Sequence, residues 1–183
     1  MTNPDTFPPA PVVVIDLQTG MFDGVAEPPL HGADALVARA RAVIEWARLS
    51  GREVAFIRHD GPQGDPLEPG APGWSLWPAL GQRDDEPVFS KSEGNAFSNP
   101  AFAAWVADQG AREIVLLGAQ TDFCVAATVR GAIDAGLGVT VVSDTHSTVD
   151  GPGEGAATVI DRHNAAFAAA GAKLLTARAL TEG

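Results

Sequence analysis

Three residues of this chain have side chains that could take part in a reaction. Cys124, the only cysteine, lies where an apolar run at residues 114–118 has ended and a helical pattern begins. At such a strand-to-helix junction, unpaired amide N–H groups and the helix dipole favour a thiolate. Asp16 ends another apolar run and could take a thiol proton as a general base. Lys91 follows a shorter run and could stabilise both the thiolate and the carboxylate, which sets out a hypothesis of nucleophilic catalysis. Each residue also has a plainer interpretation: Cys124 as a small buried apolar residue, Asp16 as the cap of a turn and Lys91 as a surface charge.

Composition excludes several classes of protein. The chain has 183 residues, 45% of them apolar, which suits a single domain at 11–183 after a flexible, proline-rich segment at 1–10. A net charge of −11 argues against a partner that is a nucleic acid or a membrane. One cysteine excludes a disulfide within the chain, and residues 1–10 lack a signal-peptide pattern. We therefore expect a cytoplasmic protein.

Apolar runs alternate with helical patterns along the chain. The predicted strands are 12–16, 54–58, 114–118 and 139–143, with weaker candidates at 87–90 and 172–175. The predicted helices are 33–50, 99–109, 122–135 and 155–170. This alternation predicts a three-layer α/β/α fold with a doubly wound, mainly parallel six-stranded sheet in the Rossmann-like order 3-2-1-4-5-6.

The predicted strand order brings distant residues together. Strands 1 and 4 become neighbours at the point where the winding reverses, and ligands bind there, outside the carboxyl ends of the strands. Asp16 ends the first predicted strand and Cys124 follows the fourth. We therefore expect these two side chains to meet at one crevice.

A long loop interrupts the alternation. Residues 60–86 are rich in proline, glycine and tryptophan and are too many for an ordinary connection. Their tryptophans either pin the loop to the body or to a second subunit, or form a lid or pocket wall.

Side chains near the predicted strand ends are candidates for binding a substrate. They are Gln18, Phe22, Trp74, Trp77, Phe97 and Phe123. Aromatic walls suit a small, flat or apolar group. For Phe97 and Phe123 a role in the core is equally consistent with the sequence. His146 and Ser147 could form a turn or an interface. They are not interpreted as a serine-type triad, since no nucleophile-elbow pattern precedes Ser147.

Four motifs follow one another along nearly the whole chain. They are VIDLQ at 14–18, Lys91 followed by NAF at 95–97, GAQTDFCV at 118–125 and VSDTHST at 142–148. Taken in this order, they resemble the isochorismatase-like cysteine hydrolases, a family that includes nicotinamidases and related amidases.

The resemblance implies a set of roles. Asp16, Lys91 and Cys124 would form a catalytic triad, and a cis peptide between Ala119 and Gln120 would turn the N–H groups of Gln120 and Cys124 towards one oxyanion hole. The implied activity is hydrolysis of a carbon–nitrogen, amide-like bond of a small molecule through a thioester. No cofactor is implied, and a homodimer or larger homo-oligomer is expected.

Some features depart from the resemblance. Nicotinamidases in this family hold a metal through an aspartate and two histidines after the second strand. Here His59 and Asp60 are followed by no further histidine before His146, so we expect no metal and interpret His59 as a hydrogen-bonding residue of the loop or pocket.

Three alternatives compete with an amidase. Family members that cleave the vinyl ether of isochorismate can lack the cysteine, so Cys124 favours carbon–nitrogen hydrolysis. A nucleotide-binding domain of the same fold is disfavoured, because DLQTG at 16–20 stands where a glycine-rich phosphate loop would be. A non-catalytic family member is disfavoured by the intact Asp, Lys and Cys.

Overall fold

Six apolar runs form the strands of one sheet. In the computed structural model, which describes residues 7–183, they are β1 Val12–Ile15, β2 Val54–His59, β3 Val88–Lys91, β4 Glu113–Ala119, β5 Gly138–Ser147 and β6 Lys173–Leu175. All neighbouring strands pair in parallel, in the order β3-β2-β1-β4-β5-β6. The predicted strand order is confirmed, and the sheet is parallel throughout.

Helices cover both faces of the sheet. Within residues 7–183 they are α1 Ala33–Leu49, α2 Pro100–Asp108, α3 Ala126–Asp134, α4 Ala156–Ala169 and α5 Ala177–Thr181. The first four match the predicted helices, whereas α5 has only five residues and shows no helical periodicity. None of the described helices combines the length and the apolar character that a membrane crossing requires.

Two apolar clusters lie on opposite faces of the sheet. On one face, α1 buries a stripe that includes Leu36, Val43 and Ile44, and α5 packs beside it. On the other face, α2, α3 and α4 bury side chains such as Phe102 and Phe167. The strands are covered on both faces, which explains their continuous apolar runs.

Strand register places the carboxyl ends of four strands at one edge. Ile15 of β1 lies opposite Gly118 of β4, and His59 of β2 lies opposite Lys91 of β3. Asp16 directly follows β1, and its amide donates to β2. Side chains with reactive groups therefore emerge from neighbouring strands at the same level.

Strand β5 extends beyond its predicted end at residue 143. Its pairing shifts from Leu116–Val141 to Gly118–His146, so two steps along β4 correspond to five along β5. This irregularity returns His146 and Ser147 to the sheet beside β4. Both residues are buried strand residues, which corrects their interpretation as a turn or an interface.

The predicted flexible segment at 1–10 is described only in part. Residues 1–6 lie outside the described residues. Phe7 packs under the guanidinium of Arg112, 3.8 Å from the ring centre, and Ala10 is buried. The described end of this segment is therefore attached to the domain.

Gly118 allows β1 and β4 to approach each other at the edge that carries the reactive groups. Its φ is 135°, and a Cβ there would overlap the carbonyl oxygen of Ile15 and lie 2.7 Å from its amide nitrogen. We expect Gly118→Ala to lower the free energy of unfolding by about 3 kcal/mol or more, because it adds this clash to an unfavourable backbone conformation.

The matched control is Gly136→Ala, measured by urea denaturation in parallel. Gly136 has a φ of 80°, but its Cβ would enter open space. We expect this control to cost about 1–2 kcal/mol, the cost of the backbone conformation alone. An equal decrease in the free energy of unfolding of the two variants would show that the close approach of Ile15 does not exclude a side chain at position 118.

Candidate active site

A buried ion pair forms the floor of the candidate site. The Lys91 Nζ lies 2.7 Å from Oδ2 of Asp16, and neither side chain is exposed to solvent. Each charge loses its hydration on burial, so each depends on the other for compensation. The second carboxylate oxygen, Oδ1 of Asp16, is buried without a hydrogen-bond partner. The site thus contains a proton acceptor that is free to meet a ligand or a neighbouring thiol.

Asp16 adopts an unusual backbone conformation for its position. Its φ is 49°, in the left-handed region that aspartate tolerates better than most residues. The amide of Gln18 donates to the Asp16 carbonyl at 2.9 Å, which closes a tight turn directly after β1. The turn ends the strand and leaves the Asp16 carboxylate among the side chains of the cavity.

Gln18 holds this edge of the sheet together. Its side-chain nitrogen donates to the carbonyl oxygens of His59 and Trp74, at 3.0 and 2.8 Å, and its oxygen accepts from the His59 amide at 2.8 Å. The side chain is fully buried and joins β1 to β2 and to the long loop. Its amide group is committed to the backbone, so the geometry does not support the predicted contact with substrate.

Cys124 lies on an irregular helical turn. The turn Thr121–Val125 is π-helical and leads into α3, so the predicted helix is confirmed with a wider first turn. The peptide between Ala119 and Gln120 is cis, as the resemblance implies. The Gln120 carbonyl accepts hydrogen bonds from the amides of Phe123 and Val125, at 3.2 and 3.1 Å. The cysteine is therefore held by a turn built around one carbonyl.

The sulfur of Cys124 contacts the ion pair. Lys91 Nζ donates to its Sγ at 3.3 Å. Burial, followed by the negative charge of Asp16, raises the pKa of Cys124 to about 12, although the positive charge of Lys91 opposes both effects. We therefore expect the resting side chain to be a thiol, whereas the helix start taken alone favours a thiolate.

His59 completes the cluster at the end of β2. One ligand-type atom from each of Asp16, His59 and Cys124 lies within 4.8 Å of the other two, a set that could in principle ligate a metal. However, Lys91 Nζ contacts all three residues, at 2.7 Å from Asp16, 3.3 Å from Cys124 and 3.5 Å from Nδ1 of His59. The ammonium already supplies the positive charge at this centre, so the residues fit a lysine-compensated nucleophile better than a metal site.

A cavity of about 250 Å³ opens onto the cluster. Its reactive side is lined by Asp16, His59, Gln120 and Cys124. Its apolar lining includes Met21, Leu30, Phe123 and Val149. Its remaining polar lining includes Glu27 and Asp65. The predicted neighbourhood of Asp16, Lys91 and Cys124 is thus present, and it faces a cavity of small-molecule size.

Most of the predicted substrate-binding aromatic residues lie elsewhere. Phe22 stacks on Trp77 with ring centres 5.0 Å apart, beside the apolar cluster of α1. Phe97 packs edge-on against Phe102 at 5.1 Å, so the alternative of a core role applies to it. Phe123 is the one aromatic prediction that lines the described cavity.

The long loop at 60–86 forms part of the cavity wall, although its tryptophans do not line the cavity. Trp74 donates to Oδ1 of Asp60 at 2.7 Å, and the Arg58 guanidinium lies 3.4 Å from the centre of its ring, so this tryptophan pins the loop to β2. Asp65 and Leu67 of the same loop line the cavity. Sequence reasoning missed these two residues and Glu27, because loop composition does not show which side chains point inward.

A chain of hydrogen bonds supports the cysteine turn from behind. Asn164 donates through Nδ2 to the Ser143 carbonyl at 3.0 Å, so its Oδ1 is the acceptor for Nε2 of His146, also at 3.0 Å. Nδ1 of His146 then accepts from the hydroxyl of Thr121 at 2.9 Å. Thr121 begins the π-helical turn, so His146 links that turn to α4.

The fold and the site together define an α/β protein of the hydrolase type. Residues 10–178 match the family model described as the isochorismatase domain. The chain belongs to the isochorismatase family of hydrolases.

Two curated relatives illustrate the range of the family. The chain is 31% identical over 141 residues to a streptothricin hydrolase from Streptomyces noursei, covering 77% of this chain and 50% of that protein. It is 26% identical over 176 residues to the nicotinamidase of Escherichia coli strain K12, covering 75% of this chain and 82% of that protein. The chain thus spans about half the length of the streptothricin hydrolase that it matches.

Solved structures show the same fold. One from Oleispira antarctica, assigned as an isochorismatase hydrolase, has a TM-score of 0.90 and 27% identity, with both chains covered completely. An isochorismatase from Pseudomonas putida KT2440 has a TM-score of 0.85 and 28% identity, with 95% of this chain and 93% of that chain covered.

Removing the Lys91 ammonium should destabilise the fold, because the Asp16 carboxylate then stays buried without a counter-charge. We expect Lys91→Met to lower the free energy of unfolding by about 3–5 kcal/mol at neutral pH, because Asp16 is left without compensation. The double variant Asp16→Asn/Lys91→Met removes both charges and should recover much of this loss in urea denaturation. A double variant no more stable than Lys91→Met would contradict the coupling.

Burial of His146 should make stability depend on pH. Burial lowers the pKa of His146 from its usual 6.5, with Asn164 opposing, so the folded state keeps the ring neutral. The unfolded state binds the proton first as the pH falls, so the free energy of unfolding should decrease from about pH 7 to about pH 5.

Two variants isolate this contribution in urea denaturation at both pH values. His146→Gln retains a donor and an acceptor for Thr121 and Asn164 without a titrating ring, and should show a smaller decrease. His31→Gln removes an exposed histidine and should keep the full decrease. An unchanged decrease in His146→Gln would assign it to other groups.

Proposed function

We propose that this protein hydrolyses a carbon–nitrogen bond of a small amide-like molecule through a thioester on Cys124. One observation carries the proposal: a half-buried thiol lies beside a carboxylate with an unpartnered oxygen, and Lys91 contacts both groups. A thiol, a base and a compensating cation are the components that covalent acyl transfer requires.

Acylation begins when a substrate carbonyl approaches Cys124. The thiol proton passes to Oδ1 of Asp16 as the sulfur attacks the carbonyl carbon, so the thiolate is formed only when it is consumed. In the tetrahedral intermediate, the backbone N–H groups of Gln120 and Cys124 would receive the oxyanion. The carbon–nitrogen bond then breaks, Asp16 returns the proton to the leaving nitrogen, and a thioester remains.

Hydrolysis of the thioester uses the same carboxylate in reverse. Asp16 takes a proton from a water molecule, which attacks the thioester carbon. The carbon–sulfur bond breaks, the sulfur recovers the proton, and a carboxylic acid leaves. Throughout the cycle Lys91 keeps a positive charge beside the changing charges of Asp16 and Cys124, which a cavity of low dielectric constant requires.

The relatives support this class of reaction. One carries the name streptothricin hydrolase and another the name nicotinamidase, which is the name of an amidase. After β2 the sequence offers His59 and Asp60 but no second histidine before His146, and Lys91 Nζ, at the end of β3, contacts both Asp16 and His59. We therefore propose an amidase, and we do not take the acyl group of its substrate from the name of the nicotinamidase.

The test is intact-mass spectrometry and turnover with a panel of small amides. We expect the native protein to hydrolyse at least one member through an acyl adduct, and Cys124→Ala to lose about a thousandfold or more of kcat with no adduct. Asp16→Asn should lose a similar factor, since it lacks the proton acceptor.

His31→Gln, which changes an exposed side chain, serves as the control and should retain native turnover. Turnover that survives in Cys124→Ala would contradict the thioester route. Absence of adduct and turnover across the panel, with the control equally inactive, would contradict the proposed amide class.

A further inference from the structure

The cavity above Cys124 has an acidic lining. Three carboxylates line it, those of Asp16, Glu27 and Asp65, whereas Lys91 at its floor is already paired with Asp16. Within residues 7–183, neither Glu27 nor Asp65 has a lysine, arginine or histidine nitrogen within 4.0 Å. Two negative charges of the cavity are therefore uncompensated.

Asp60 and Asp65 lie in the same loop, but their carboxylates have different partners. Asp60 accepts a hydrogen bond from Trp74 at 2.7 Å and lies near the positive charge of Arg58. Asp65, in contrast, uses Oδ1 to accept from the Leu67 amide at 2.7 Å, which fixes its carboxylate at the cavity wall. The loop compensates one carboxylate and presents the other to the cavity.

A second observation concerns the carboxylate at the floor of the cavity. Oδ1 of Asp16 is fully buried, lines the same cavity and has no hydrogen-bond partner. A buried carboxylate oxygen without a partner is costly, and a donor group of a ligand can satisfy it whenever the Cys124 thiol does not. Both the floor and the wall of the cavity thus favour a ligand rich in donors.

We propose that the preferred substrate is a small amide that also carries a positively charged amine or guanidinium group. This inference rests on the proposed function and names the substrate class for the same site. The amide lies at Cys124, its apolar body lies against Met21 and Leu30, and its cationic group points towards Glu27 and Asp65.

The negative charge of the cavity favours cationic over anionic substrates. Carboxylates that line a concave site focus a negative potential into it, which raises the local concentration of cations and lowers that of anions. The net charge of −11 adds to this field. Anionic substrates, including a dicarboxylate such as isochorismate, are therefore disfavoured, and the preference should weaken with added salt because Glu27 is exposed.

The charge preference can be measured without knowing the substrate. The single cysteine reacts with a cationic trimethylammonium-ethyl methanethiosulfonate and with an anionic sulfonatoethyl methanethiosulfonate, and intact mass reports each rate. Both reagents attack the same thiolate, so the ratio of their rates cancels the pKa of Cys124. Dividing by the same ratio for free mercaptoethanol leaves the contribution of the cavity.

We expect this normalised ratio to favour the cation and to fall about fivefold or more in the double variant Glu27→Gln/Asp65→Asn. The matched control is Asp84→Asn/Asp85→Asn, which removes the same charge from exposed positions away from the cavity lining and should keep the native ratio. A ratio near unity in the native protein would overturn the proposal, as would equal decreases in the two double variants.

The substrate panel then separates this inference from the proposed function. Among amides that share one acyl group, kcat/KM should be higher for members with an amine than for neutral or carboxylate-bearing members, and Glu27→Gln/Asp65→Asn should remove the difference. Turnover that depends on Cys124 but prefers neutral or anionic amides would overturn the substrate class and leave the thioester route intact. A cation-favouring reagent ratio with turnover that is independent of Cys124 would overturn the thioester route instead.

Discussion

The buried ion pair between Asp16 and Lys91 is the interaction on which the site depends. At 2.7 Å, with both side chains fully buried, each charge is acceptable only because the other is present. Lys91 also contacts Cys124, and the carboxylate keeps one oxygen without a partner. The pair therefore places a proton acceptor beside a thiol without requiring a permanent thiolate. In the proposed reaction, Cys124 need not be ionised at rest, because Asp16 would take its proton during attack.

The parallel sheet makes this pair possible. The register that sets His59 opposite Lys91 and Ile15 opposite Gly118 ends four strands at one level, so side chains far apart in sequence meet at the switch point. Irregular backbone then adjusts their directions: Asp16 has a left-handed conformation, and the cysteine turn is π-helical. Regular structure brings the groups to one edge, and departures from regularity aim them at the cavity.

The strands, their order and the meeting of Asp16 with Cys124 could be predicted, because apolar periodicity and the rules of parallel sheets determine them. The residues of the long loop that form the cavity wall could not be predicted. Loop composition identified 60–86 as special but did not reveal that Asp65 faces inward while Trp74 is committed to Asp60. The sequence also could not show the burial of Cys124 and its proximity to Asp16, both of which raise the pKa of the thiol.

The protonation state of the resting cysteine tests this account most directly. Because the chain has one cysteine, an infrared difference spectrum between the native protein and Cys124→Ser isolates its S–H stretching band. At about pH 8, we expect the native protein to show this band, since its thiol ionises only at much higher pH. A missing band accompanied by thiolate absorbance in the ultraviolet would mean that Lys91 outweighs burial and Asp16. Proton transfer to Asp16 during attack would then be wrong.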